Sequence, residues 1–188
     1  MPPVLLLCGL GNKGREYAHT RHNIGYLVVD RFSERYHIPL TRKSGGCRVG
    51  IDSGVILAKP DTYMNLSGGP VSTLMKKMGI KPDDLILIHD DLDMPFGRIR
   101  IKWGGRDGGH RGVRSVIEAL GSPFFHRLKV GIGRNPSMQA EDYVLEPFAD
   151  QEVRDLPDVL DIAAEALNVF VQDGSARAMS IYNKSPGI

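Results

Sequence analysis

Residues Val4 to Gly25 read VLLLCGLGNKGREYAHTRHNIG. The apolar run Val4 to Leu7 has the character of a strand buried on both faces, since no polar residue alternates within it. It breaks at once into glycines at Gly9, Gly11 and Gly14, and the stretch closes on the polar cluster Thr20-Arg21-His22-Asn23. A helix is expected next, over about 24–36, because Ile24, Leu27, Val28 and Phe32 recur at helical spacing. Strand, glycine turn, polar cluster and helix together make the opening unit of an α/β protein. Such proteins place ligands at the carboxyl ends of their parallel strands.

The same alternation continues outward from this unit. Cys47 to Ile51 and Val55 to Ala58 are expected as strands joined by a hairpin at Asp52-Ser53-Gly54. A polar loop from Lys59 to Gly69 precedes a helix carrying Val71, Leu74, Met75 and Met78 on one face and ending at Gly79. Leu85 to Ile88 is a second buried strand, and it runs into His89-Asp90-Asp91-Leu92-Asp93. A half-exposed strand is expected over Arg98 to Trp103. The glycine-rich loop Gly104 to Gly112 follows, then a helix with Val113, Val116, Ile117 and Leu120, then a strand over Phe125 to Ile132. Gly133 to Glu146 is expected as a mobile loop, Asp150 to Asp173 as a long helix, and the tail to Ile188 as a polar segment prone to fray. These elements predict a single three-layer α/β/α domain over residues 1–188, with a mostly parallel sheet that the Gly54 hairpin makes mixed.

Composition narrows the function classes. With 188 residues, 41% hydrophobic and 24% charged, the chain is an ordinary globular domain with a core of its own. No apolar run reaches the roughly 18 residues of a membrane helix, and no secretory signal is evident. Cys8 and Cys47 lack metal spacing and point to a reduced, cytoplasmic setting. The net charge is only +2, yet Arg98, Arg100, Lys102, Arg106, Arg111, Arg114, Arg127, Lys129 and Arg134 crowd one quarter of the chain. Such a patch beside glycine-rich loops suits a phosphate-bearing partner such as RNA, although a solvated face is its simplest explanation.

Three kinds of chemistry compete for the strand ends. Gly9-x-Gly11-x-x-Gly14 is formally a dinucleotide fingerprint, but that motif requires a helix opening at the third glycine, and the first apolar stripe begins only at Ile24. Asp90, Asp91 and Asp93, or His19 and His22, are possible metal ligands, but neither set is closed at a known spacing. No Gly-x-Ser-x-Gly elbow offers a covalent nucleophile, so activated water is the simpler hydrolytic choice. A pair of His22 with Asp90 would suit it, with the carboxylate fixing the imidazole tautomer. Whether the two strands are neighbours is not decided by the residues alone.

Five blocks in order are more specific than any of these. Gly9-Leu10-Gly11-Asn12-x-Gly14 with Tyr17 and Thr20-Arg21-His22-Asn23, then Pro60-x-Thr62-Tyr63-Met64-Asn65-Leu66-Ser67-Gly68, then His89-Asp90-x-Leu92-Asp93, then Gly108-Gly109-His110, then Arg127-Leu128-x-Val130-Gly131-Ile132-Gly133 closely resemble the bacterial peptidyl-tRNA hydrolases. The resemblance implies a monomeric cytoplasmic esterase that needs no cofactor or metal and cuts a peptide from the 3′ ribose of tRNA. It implies His22 as the base that activates water, Asp90 as its orienting partner, and Asn12 and Asn65 as amides that hold the peptide end and the reacting carbonyl. Tyr17 and Tyr63 match positions at the tRNA end, Lys102 and Lys129 a clamp on its 5′ phosphate, and residues 133–146 a lid. Arg111 stands where the family usually has asparagine, and arginine only donates. The residue therefore cannot copy an accepting role, though it could bind an oxyanion or phosphate. A rival of another class is a non-catalytic RNA-binding relative, similar to the plant organelle splicing factors that share the fold.

Overall fold

A computed structural model describes residues 4–184. The first strand, β1 (Leu5–Gly9), is followed by single helical turns at Arg15–Tyr17 and Arg21–Asn23, then by α1 (Ile24–Arg35). Three strands come next, β2 (Arg42–Ser44), β3 (Cys47–Asp52) and β4 (Val55–Pro60), and then α2 (Gly68–Met78). The second half holds β5 (Leu85–Asp91), β6 (Ile99–Trp103), α3 (Arg111–Leu120), β7 (His126–Gly131), α4 (Ala140–Tyr143), α5 (Asp150–Asp173) and α6 (Ser175–Tyr182).

The seven strands form one sheet in the order β2-β3-β4-β1-β5-β7-β6. Strands β4, β1, β5 and β7 run parallel through its centre, β2 shares their direction, and β3 and β6 oppose them. The mixed, mostly parallel sheet expected from the hairpin at Gly54 is therefore present. Strand β1 pairs with β5 along Leu6↔Leu85 to Gly9↔Ile88, so the two apolar runs that end in polar residues are neighbours. One face of the sheet packs Leu7, Ile86, Ile88, Leu128 and Val130 against α1 and α5. The other packs Leu6, Cys8, Leu85, Leu87 and Phe125 against α2 and α3. Alternate residues of the central strands thus feed two cores, which is why these strands read as unbroken apolar runs.

Two glycines bring α1 against the sheet. A Cβ on Gly9 would collide with the carbonyl of Gly25, and a Cβ on Gly25 would collide with the backbone of Ile88 and Leu10. Backbone therefore meets backbone where α1 begins, and the turn bearing His22 is held over the ends of β1 and β5. Gly9 serves this approach and not a pyrophosphate. Gly14 leads only into the single turn Arg15–Tyr17, with no long helix behind it. Asp30, the acid at dinucleotide spacing, lies within α1 and binds Lys59 at 2.5 Å.

Three segments differ from the sequence expectation. Strand β5 extends to Asp91 because its polar end continues to pair with β7, through Asp90↔Val130 and Asp91↔Gly131. The short strand β2 adds an edge that its polar residues Arg42 to Ser44 did not announce. The tail up to Lys184 is not frayed: it forms α6, and the Asn183 amide accepts from Ile101 N at 2.8 Å and donates to Ile101 O at 2.9 Å. That amide covers part of the edge strand β6, which would otherwise offer open backbone groups. The remainder of the tail lies outside the described residues. No helix among the described residues is long and apolar enough to cross a membrane.

Close approach and backbone conformation can be separated experimentally. Gly25→Ala is expected to cost about 3 kcal/mol through forced overlap. Gly79→Ala, at φ 67° with open space around it, is expected to cost only about 1 kcal/mol of left-handed strain. Denaturant midpoints of the two variants check this, and equal losses would show that the approach at Gly25 is not tight.

Candidate active site

A cleft of about 650 Å³ opens at the carboxyl ends of β1 and β5. Its walls include Asn12, Tyr17, His22, Tyr63, Asn65, Asp90, Arg111 and Lys129. Eight of the nine residues singled out from the sequence therefore meet there. Lys102 is the exception. It lies on β6, on the same sheet face as Lys129, because Arg100↔Lys129 and Lys102↔Arg127 are paired across the two strands.

At the base of the cleft, His22 Nδ1 lies 2.9 Å and 3.0 Å from the two oxygens of Asp90. Both residues are buried, at 8% and 3% exposure. A carboxylate is an acceptor, so Nδ1 carries a proton, and in the neutral ring Nε2 keeps its lone pair. Asp90 has a second imidazole partner: His110 Nε2 lies 2.7 Å from Oδ1. Burial alone would push the Asp90 carboxyl up, but the two histidines outweigh it and hold the carboxyl well below the usual carboxylate range. The His22 and His110 rings are 4.8 Å apart.

His110 closes the Gly108-Gly109-His110 block, which assigns it no role by itself. Its Nδ1 caps α3, accepting from Gly112 N at 3.1 Å and Val113 N at 3.2 Å. Nε2 must then carry the proton, and it has no lone pair to offer a metal. Donor atoms of His22, Asp90 and His110 do lie within 4.8 Å of one another, as a metal would need. The cap makes the third of them a poor ligand all the same. The acidic run is also committed elsewhere: Asp91 pairs with Lys129, and Asp93 with Arg134 at 2.8 Å. His19 is exposed, on a separate pocket from His22.

Asn12 is fixed from three directions. The Asn23 side chain, at 2% exposure, accepts from Asn12 N at 2.8 Å and donates to Asn12 O at 3.0 Å. Met64 N donates to Asn12 Oδ1 at 2.7 Å. The acceptor of the Asn12 amide is thus engaged, and Nδ2 is what it has left to offer. The link to Met64 also ties the first loop to the Tyr63–Asn65 loop. Tyr17 and Tyr63 meet edge to face at 6.4 Å, and Lys13 Nζ sits 5.2 Å from the Tyr63 ring centre.

The basic cluster is less uniform than its sequence suggested. Arg127 is buried, and its guanidinium donates to the carbonyls of Gly105 and Arg106. It braces the second glycine-rich loop, and so the position of His110, and is not a surface charge. Arg111 Nη2 reaches Glu141 Oε2 of α4 at 2.5 Å, both side chains being about two-thirds exposed (65% and 66%). It turns along the mouth of the cleft toward residues 133–146. That segment contains α4 and is tied down at its far end. His22 N donates to Val144 O at 2.8 Å, Arg21 N to Glu146 O at 3.1 Å, and Arg21 Nη1 to Pro147 O at 2.8 Å. Arg21 also pairs with Glu152 at 2.7 Å. Sequence gave no cue to these roles of Arg21 and Asn23, since each partner is remote in the chain or a backbone atom.

The fold and the cleft define an α/β protein built to bind its ligand at the strand ends, with a histidine–carboxylate pair on the floor. The family model for peptidyl-tRNA hydrolase matches residues 6–187. The chain is 45% identical over 184 residues to the peptidyl-tRNA hydrolase of Geotalea uraniireducens, covering 96% of each chain. It is 41% identical over 187 residues to that of Thermodesulfovibrio yellowstonii, covering 96% of this chain and 100% of the other. The crystal structure of peptidyl-tRNA hydrolase from Acinetobacter baumannii superposes with a TM-score of 0.90 at 36% identity, over 96% of this chain and 95% of that one. The chain belongs to the peptidyl-tRNA hydrolase family.

His89 gives this region a pH signature. Its Nδ1 donates to Asp90 O at 2.7 Å, and its Nε2 is buried with no hydrogen-bond partner among the described residues. Burial pushes its pKa well below the ordinary histidine value. The unfolded chain then binds a proton that the folded one refuses. Stability is expected to be unaffected by this group above pH ~6.5 and to fall as pH drops below it. His89→Asn keeps a donor for Asp90 O and should flatten that fall. Denaturant titrations between about pH 5 and 8 check it, and an unchanged slope would contradict it.

Proposed function

We propose that the cleft hydrolyses the ester between a peptide and the 3′ ribose of tRNA, using water activated by His22. The observation that carries this is the His22 Nδ1 contact with both Asp90 oxygens, which leaves Nε2 as an acceptor in the cleft. Water gives a proton to Nε2 as its oxygen bonds to the ester carbonyl carbon. Asp90 stabilises the resulting imidazolium without taking its proton. Collapse of the tetrahedral intermediate breaks the bond to the ribose 3′ oxygen, which recovers the proton from His22.

Asn12 and Asn65 hold the acyl side. With its oxygen engaged by Met64 N, Asn12 offers donors, which suit the carbonyl of an N-acyl group. A free ammonium would set donor against donor, so aminoacyl-tRNA is disfavoured while peptidyl-tRNA is accepted. Asn65 donates to the reacting carbonyl and stabilises its oxyanion. Tyr17 and Tyr63 stack on the 3′ end of the tRNA. Lys102 and Lys129 take its 5′ phosphate, with Lys129 exchanging Asp91 for the stronger anion. Arg111 serves the lid through Glu141 and does not supply the oxyanion contact. Because residues 144–147 are fastened to Arg21 and His22, lid motion is confined to about 134–141. The protein works as a cytoplasmic monomer without a cofactor.

His22→Ala is expected to lower kcat by about 10³-fold while leaving tRNA affinity within about two-fold. Asp90→Ala is expected to lower it by about 10²-fold, since the imidazole remains but is no longer oriented. Release of labelled peptide from peptidyl-tRNA, beside tRNA binding at several salt concentrations, measures both. Near-normal cleavage by His22→Ala would sink the mechanism. RNA binding by the unaltered chain without any cleavage would favour a non-catalytic relative.

A further inference from the structure

The two nitrogens of His110 are both committed. Nδ1 accepts from two backbone amides at the start of α3, and Nε2 donates to Asp90 Oδ1 at 2.7 Å. A proton on Nδ1 would point its N–H toward two other N–H groups, so the helix fixes the Nε2–H tautomer of the ring. His110 is therefore neither a second base nor an acid. It is one permanent donor on the carboxylate that His22 also uses.

We infer that His110 is a positioning residue for hydrolysis, holding Asp90 in place and sharing its negative charge so that His22 is not bound too strongly in its protonated form. This rests on His22 being the base. His22 straddles Oδ1 and Oδ2, whereas His110 takes Oδ1 alone. A carboxylate that already accepts one N–H attracts an imidazolium less, because hydrogen bonding spreads its charge. An imidazolium held too tightly returns its proton to the leaving oxygen slowly. No proton leaves His110 at any step: the proton from water resides on His22 Nε2 and then on the ribose oxygen.

Other charges near His22 are answered elsewhere. Within its own turn, Arg21 is drawn to Glu152 and Pro147 O. From α3, Arg111 is drawn to Glu141 of α4, and across the cleft Lys129 is drawn to Asp91. From β5, His89 is neutral and turned to the Asp90 carbonyl. Tyr17 and Tyr63 are the phenols that line the cleft, and the hydroxyl of Tyr143 on α4 is bonded to Ile132 O at 2.8 Å. Arg106 also lines the cleft, exposed, and the shared carboxylate is the charge in direct contact with His22.

Replacement can separate the two duties of His110. Asparagine and serine are strong helix N-caps, so His110→Asn and His110→Ser preserve the start of α3 but remove the donor from Asp90. Both are expected to move the acid limb of the kcat/KM profile to higher pH by about half a unit or more, and to lower kcat about ten-fold with KM within two-fold. An unchanged pH profile and kcat in a folded variant overturns the inference. The unaltered protein supplies an independent check through histidine side-chain nitrogen NMR. His110 should be found with its proton on Nε2 and with Nδ1 as an acceptor, and the Nδ1–H tautomer would equally overturn the inference. His22→Ala in the same assay keeps the failures apart. Residual turnover near the normal level would refute His22 as base, whereas lost turnover beside normal His110 variants would refute only the role of His110.

Discussion

The site depends on one buried carboxylate that is never alone. Asp90 is 3% exposed at the end of a central strand, and an isolated charge there would cost several kcal/mol in lost hydration. Two imidazole N–H groups replace the missing water, one from His22 and one from His110. Each histidine is placed by a different element, the first by the turn before α1 and the second by the N-terminus of α3. Asp90 thereby ties together three parts of the chain that lie on both faces of the sheet. Chemistry and stability draw on the same contacts.

Much of the surrounding structure delivers those two histidines. Gly9 and Gly25 allow the start of α1 to touch the backbone of the sheet, which sets the height of His22 above Asp90. Arg127, buried beneath the second glycine-rich loop, holds the carbonyls of Gly105 and Arg106 and thus the approach to His110. Asn23 fixes the Asn12 backbone and Met64 N its side-chain amide, so that the polar groups around the floor of the cleft are oriented before any substrate arrives. Such preorganisation is what a site needs if its dipoles are to act on developing charge without first rearranging.

Local signals in the sequence foretold most of the elements and the residues of the cleft. Apolar runs, the hairpin at Gly54 and helical stripes are short-range patterns, and they located the long elements of the structure to within a few residues. His22 and Asp90 could be proposed as partners because each closes a buried apolar run. Their adjacency needed the pairing of β1 with β5, which no local pattern encodes. His110 escaped notice because its meaning lies in Asp90, twenty residues away, and in two amides of its own helix. Arg127 misled for the opposite reason: a basic residue on an alternating strand reads as exposed, yet its partners are backbone carbonyls beneath a loop. Arg111 was legible as a departure from the family pattern. Its direction toward Glu141 was not, because an exposed ion pair leaves no trace in spacing.

The most direct test of the shared carboxylate is a neutron diffraction structure of the protein exchanged into heavy water near neutral pH. Deuterons are predicted on His22 Nδ1 and on His110 Nε2, both directed at Asp90, with none on either Asp90 oxygen or on His110 Nδ1. A deuteron on Asp90, or one on His110 Nδ1, would contradict the account.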